Sequence, residues 1–235
     1  MEKILREQKR STLMNQALTH VRDAIIHGKL KPGDRLIESQ LADQMKISRF
    51  PIREALRYLE KEGLVVNIPF RGSYVSSFSE TDMEEIFSLR GAIEGLALQI
   101  LTNRIDEEKL KILSTIIKDM EKSAQNRNSA DVVARDLLFH RTICKMSGHR
   151  KLLSFWETLE HQIYMFLTIE KKVYHPPERY VTTHIPILEA LEKKDSALAL
   201  ARLRIHLEDA MAQIRKGFWE KHTDEPRKSK KQGAA

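Results

Sequence analysis

The chain has 235 residues, 41% hydrophobic and 31% charged, which is enough to bury a core in one large or two small domains and excludes a disordered chain. Forty Lys+Arg against 33 Asp+Glu give a net charge of +7, a balance that favours a polyanion and makes nucleic acid the first partner to test. The one cysteine, Cys144, excludes an internal disulfide framework and a four-cysteine zinc site, and charges break every apolar run before the ~18 residues of a membrane span. A soluble, cytoplasmic protein with a buried, inert Cys144 is expected.

Nine Gly and seven Pro fall between segments that read as helices, so the chain is expected to be mainly α. From Leu13, Ala17, Val21, Ala24 and Ile25 recur at helical spacing until Gly28 and the Lys31-Pro32-Gly33-Asp34 turn stop the helix. A short helix fits Glu38 to Met45. A third fits Arg49 to Glu62, with Ser48 placed to cap it, Pro51 in its first turn and Gly63 just past its end. Leu64-Val65-Val66-Asn67-Ile68 and Ser73-Tyr74-Val75-Ser76 flank Pro69-Phe70-Arg71-Gly72 and read as a hairpin, the one convincing strand pair. From Ser79 the helical period returns, with helices expected at about 82–103, 106–126, 130–147, 150–172, 178–194 and 196–221. Short connections between them predict a bundle of six or seven helices. Ser79 with Asp82, and Asp195, read as caps, and Gly148 suits the left-handed position after a helix. The period changes near residue 78, which sets domains at 1–78 and 79–223; the tail 224–235, with Arg227-Lys228-Ser229-Lys230-Lys231, reads as disordered.

Two short helices joined by a tight turn, the second opening with Ser48-Arg49 and carrying Arg53 and Arg57, match what docking in a DNA major groove requires. A hydroxyl and exposed amides meet phosphate, and arginines in the first turns reach base edges. Arg49 and Arg53, four apart, share a face. The hairpin tip presents Arg71-Gly72, a cation beside a close backbone approach, to the minor groove or phosphates. Residues 1–75 hold 14 Lys+Arg and 9 Asp+Glu, so +5 of the net +7 lies with this motif. Any small helical segment can show two helices and a turn, and the wording is what makes the pattern specific. Pro32-Gly33-Asp34-Arg35-Leu36, Leu41-Ala42-Asp43, Ser48 through Glu60, and Glu62-Gly63-Leu64-Val65 closely resemble the winged helix-turn-helix of the GntR family of bacterial transcription regulators. The resemblance implies that Arg35, Ser39, Ser48, Arg49, Arg53, Arg71 and Gly72 stand at DNA-contacting positions. Phe50 departs from it, standing where the family usually has a small polar residue such as Thr.

Asp136 and His140, four residues apart on one expected helix, emerge on the same face. His184 and His206 lie on the expected helices either side of the Lys193-Lys194-Asp195 turn, an arrangement that can bring them together. Three imidazoles and one carboxylate suit a divalent first-row metal such as Zn²⁺, Ni²⁺ or Mn²⁺, although each histidine taken singly is better explained as a structural or surface residue. Asp136-Leu137-Leu138-Phe139-His140, then Ser147-Gly148-His149, then His184 through Leu191, Asp195, Ala201 and His206 resemble the FCD effector domain of the FadR-type branch. The resemblance implies that Asp136, His140, His184 and His206 hold a metal. It leaves out His149, where the family commonly has Asn. Pro186, two residues after His184, departs from it, freeing a helical carbonyl and inviting a kink. Arg90 and Glu94, an i,i+4 pair, are either a surface salt bridge or, by the resemblance, effector-binding residues, with Arg90 clamping a small carboxylate beside the metal. Trp156, Tyr164, Met165 and Phe166 read mostly as core; His161, His175 and His222 receive no role.

These readings predict a DNA-binding homodimer on an inverted-repeat operator, controlled by a small organic acid and acting as a repressor, with no membrane association. The alternatives are a dimer with a structural metal or none, and a nonspecific nucleoid-type binder. No HExxH-like or paired-carboxylate pattern accompanies the four ligands, so an enzyme is not expected.

Overall fold

The computed structural model describes residues 10–169 and 178–222; the basic tail and His175 lie outside them. Helix α1 (Arg10–Ile26) buries Ala17, Val21 and Ile25, one stripe at i, i+4, i+8. Strand β1 (Arg35–Leu36) follows, then α2 (Glu38–Met45), α3 (Arg49–Lys61), β2 (Val65–Ile68) and β3 (Gly72–Val75). In α2, Ala42 is buried and Leu41 packs partly against the same core. Lys46, in the left-handed region at φ 53°, ends α2 and turns the chain into α3. The expected hairpin is there, with Val66 opposite Tyr74 and Ile68 opposite Gly72. A third strand was missed: β1 pairs antiparallel with β3, Arg35 opposite Tyr74, giving the order β1-β3-β2. Two residues carry no alternation by which sequence could reveal a strand. Ile52, Ala55, Leu56 and Leu59 of α3 meet Leu36, Val65 and Val75 of the sheet, and Leu64 just before β2, in one core.

The second core belongs to α4 (Glu80–Thr102), α5 (Glu107–Gln125), α6 (Ser129–Met146), α7 (Arg150–Ile169), α8 (Glu178–Glu192) and α9 (Ser196–His222). These six helices follow the expected segments to within a few residues. Sequence-visible punctuation sets their ends. Ser79 and Asp82 form a reciprocal capping box at α4, Asp195 accepts from the Leu198 amide at 2.9 Å, and Gly148 sits at φ 73° before α7. His149 starts α7, its Nδ1 accepting the Leu152 amide at 3.2 Å. Pro186 lies inside α8, which runs through it as one helix, leaving the Thr182 carbonyl without the amide that would ordinarily reach it. Cys144 is fully buried, and burial pushes its thiol up.

Helix α7 joins the two cores. Met165 is fully buried in the core formed by α1, α3 and the sheet, while Trp156 and Phe166 of the same helix belong to the bundle core. Gln162 Nε2 donates to the Glu62 carbonyl at the end of α3 at 2.9 Å, and Arg22 NH2 holds the Glu62 side chain at 2.6 Å. Phe78, between the domains, meets the Phe166 ring edge-on with centroids 6.3 Å apart. Gly63 makes this junction possible: its φ is +72°, and a Cβ there would lie 2.5 Å from Gln162 Nε2. Gly63→Ala is therefore expected to destabilise by at least the ~1–2 kcal/mol of a left-handed side chain. Thermal melting would show this, and an unchanged midpoint would remove the steric role given to Gly63.

Candidate functional site

The first helices and sheet present the residues that the DNA reading singled out. Arg35, Ser48, Arg49, Arg53 and Arg71 are exposed, and Ser39 and Gly72 are half-buried. Ser48 occupies the N-cap position of α3 with extended backbone, but its side chain makes no capping hydrogen bond. That corrects the expected cap and leaves hydroxyl and first-turn amides to face an anion. Arg53 is not free: its Nε and NH2 donate to Glu38 Oε1 and Oε2 at 2.9 and 2.8 Å, tying α3 to α2 one residue before Ser39. Arg57 likewise bonds Glu54 at 3.0 Å. Tyr74 Oη donates to the Arg71 carbonyl at 3.3 Å, and the Arg35 guanidinium lies 3.8 Å from where a Cβ on Gly72 would stand. Three aromatic side chains are exposed on this domain: Tyr58 at 45%, Phe50 at 60%, and Phe70, at φ 63°, wholly exposed at the wing tip.

The four residues expected to ligate a metal converge inside the bundle. Asp136 and His140 come from α6, His184 from α8 and His206 from α9, all buried, with one donor atom of each within 4.8 Å of all the others. His140 Nε2 lies 3.1 Å from both His206 Nε2 and His184 Nε2, and Asp136 Oδ1 lies 3.1 Å from His184 Nε2. Donors about 2.1 Å from a shared ion stand roughly 3 Å apart when adjacent. The outer nitrogens set the tautomers. His184 Nδ1 donates to the Tyr180 carbonyl at 2.5 Å, and Glu94 Oε2 lies 2.6 Å from His140 Nδ1, so both imidazoles keep their Nε2 lone pairs pointed inward. Two buried lone pairs facing each other at 3.1 Å repel unless a cation lies between them. Burial, with His184 and His140 nearby, holds His206 well below the usual imidazole range, and burial also lowers His140 against the pull of Glu94. Burial works to raise Asp136, but the adjacent His184, then His140 and Arg90, hold its carboxyl far below the ordinary value. Neutral imidazoles beside an ionised carboxylate are the protonation states a divalent ion takes.

Arg90 and Glu94 are 2% and 1% exposed, so the surface salt bridge is overturned. Arg90 Nε donates to Glu94 Oε1 at 2.6 Å, its NH2 lies 4.0 Å from Asp136, and its guanidinium faces the Phe87 and Trp156 rings at 5.4 and 5.5 Å. Glu94 spends its oxygens on Arg90 and His140, which makes it a support for the His140 imidazole; the i,i+4 spacing alone gave no sign of that second contact. A cleft of about 670 Å³ between α8 and α9, walled by Thr182, Thr183, Pro186 and Arg202, reaches His206, and the Arg179–Asp209 ion pair spans its rim. His161, given no role, sits at the domain junction, 3.9 Å from Glu62.

Comparison with known proteins places this architecture. Residues 13–75 match the bacterial regulatory proteins of the gntR family, and residues 85–209 match the FCD domain. Relatives span nearly the whole chain. The HTH-type transcriptional regulator YdhC of Bacillus subtilis is 30% identical over 81% of this chain and 86% of its own. The gluconate operon transcriptional repressor of Bacillus licheniformis is 28% identical over 86% and 87%. Among solved structures, Escherichia coli McbR/YncC superposes with a TM-score of 0.75 at 22% identity, over 88% of this chain and 98% of that one. A GntR regulator from Rhodococcus sp. RHA1 gives 0.76 at 23% identity, over 87% and 98%. The chain belongs to the GntR family of transcription regulators, in its FCD-domain branch. It is a DNA-binding regulator and not an enzyme, and among the described residues no helix is long and apolar enough to cross a membrane.

Proposed function

We propose that this regulator is a homodimeric repressor that reads an inverted-repeat operator with α3 and the wing, and releases it when a small carboxylate binds beside a divalent metal. The observation that carries the reading is the three Nε2 atoms and one carboxylate oxygen converging inside the bundle. Asp136, His140, His184 and His206 would hold Zn²⁺, Ni²⁺ or Mn²⁺. Such an ion, when bound, supplies a Lewis acid with open positions for a carboxylate. Arg90 offers a permanent cation within the same buried cluster, and the α8–α9 cleft gives a route from solvent to His206. Repression is supported by relatives such as the gluconate operon repressor.

Helix α7 would carry the signal, since it packs against the site at Trp156, whose ring lies 6.1 Å from that of His140, and against the end of α3 at Gln162. A ligand shifts the domain arrangement only by its difference in affinity for the two states. For the dimer, α4 offers Leu89 and Leu96, 53% and 45% exposed, with half-buried Ile93 and Ile100 between and beyond them. This 4-3-4 spacing is that of a helix–helix seam.

The test is metal analysis of the purified protein beside a His140→Ala/His184→Ala variant, with thermal shifts on adding small carboxylic acids to both. One ion per chain and acid-induced stabilisation in the parent alone are expected. Metal without any acid response would favour a structural ion, and no uptake after loading with all three metals would overturn the site.

A further inference from the structure

We infer that Phe50 reads thymine: its ring is the apolar element of the recognition face and packs on the 5-methyl group of a pyrimidine in the major groove. The exposed side of α3 carries Arg49, Phe50, Arg53 and Arg57, while Pro51, Ile52, Ala55, Leu56 and Leu59 face the core. On a helical wheel those four span about 100°, one continuous strip, with Phe50 at its edge next to the direction of Arg57 and at the end that opens the helix. Two of the three arginines are already engaged, Arg53 by Glu38 and Arg57 by Glu54. Arg49 and Phe50, adjacent at the head of α3, are therefore the side chains most ready to meet base edges.

A phenyl ring 60% exposed on a strip of cations is poorly matched to water and gains nothing from phosphate, which needs a donor or a charge. In the major groove the one apolar feature is the thymine methyl, and contact with it is an established use of Phe. The charge around Phe50 selects the partner: Arg49, Arg53 and Arg57 beside it on the strip favour a polyanion over the apolar patch of another protein. The inference rests on α3 being the reading helix.

The probe is a set of duplexes enriched from a random-sequence pool by the full-length protein, followed by replacement of each enriched thymine with uracil, which lacks only the methyl. Burial of one methyl is worth about fourfold in affinity. A loss of about that size is expected at one or two thymines in each half-site for the parent protein. Phe50→Ala should bind these duplexes more weakly and show no difference between thymine and uracil, and Phe50→Leu should keep part of the discrimination. Because Phe50 is exposed, all three proteins should melt alike. Indifference of the parent to every uracil, or an equal uracil penalty in Phe50→Ala, would overturn the assignment. Should α3 not be the reading helix, Arg49→Ala would enrich the same sequences as the parent, which separates failure of that premise from failure of the Phe50 contact.

Discussion

Glu94→Leu is expected to cost about 3–5 kcal/mol of folding stability, the range for removing one partner of a buried ion pair. The guanidinium of Arg90 cannot lose its proton, and the substitution would take away its 2.6 Å hydrogen bond while leaving it in a site where it is 2% exposed. Among the groups that would still face it are the Asp136 carboxylate at 4.0 Å and two aromatic rings. His140 would lose the carboxylate beside its Nδ1, so metal affinity should also fall by about 10–100-fold, the usual effect of removing a partner that orients a ligand. Urea melts and metal titration check the two effects separately. The double change Arg90→Leu/Glu94→Leu should recover much of the stability, since an apolar pair can replace a buried ion pair at little cost, while metal affinity stays low. If Glu94→Leu melts like the parent, the pair is not the buried, mutually dependent unit described above.

What the sequence made legible follows from which signals are local. Helical period, caps and glycines are short-range, and they placed α4 to α9 because Ser79, Asp195 and Gly148 act within four residues of themselves. The Asp-His quartet was legible only half-way by spacing: Asp136 and His140 are one turn apart, but bringing His184 and His206 to them depends on how α8 and α9 pack on α6, and the family resemblance supplied that step. The support Glu94 gives His140 escaped, although Glu94 itself was singled out, because that contact reaches across to another helix, far along the chain. Strand β1 escaped because two residues have no period. The junction escaped for a related reason: Gln162 reads as one polar residue on an apolar helix until α7 is seen lying against the end of α3, where Gly63 leaves the space for it.

At the DNA surface the largest single effect is expected from Arg49→Ala, a loss of roughly 5–150-fold in operator affinity with relaxed preference at the base it reads, the range for one good bidentate contact. Arg71→Ala should instead weaken binding evenly across sequences and lower the salt slope by about one. Glu38 supplies the discriminating case. Its hydrogen bond to Arg53 holds its carboxyl below the ordinary value against the opposing effect of burial, so it stays ionised at neutral pH and places a negative charge beside the helix that approaches phosphate. In the free protein it also holds the fork of Arg53. Two outcomes follow from these two roles. If Arg53 must swing away to reach a base, Glu38→Gln releases it and removes a repulsive charge, and affinity rises for every sequence. If Arg53 reads its base while still braced by Glu38, the same change loosens a positioned contact, and affinity falls for the operator alone. The geometry favours the first, because Nε and one terminal nitrogen of the guanidinium are already taken by the two Glu38 oxygens. Glu38→Gln is therefore expected to bind both operator and random-sequence DNA more tightly, which paired equilibrium titrations at fixed salt would measure. A fall confined to the operator would show that Glu38 braces Arg53 for reading instead of withholding it.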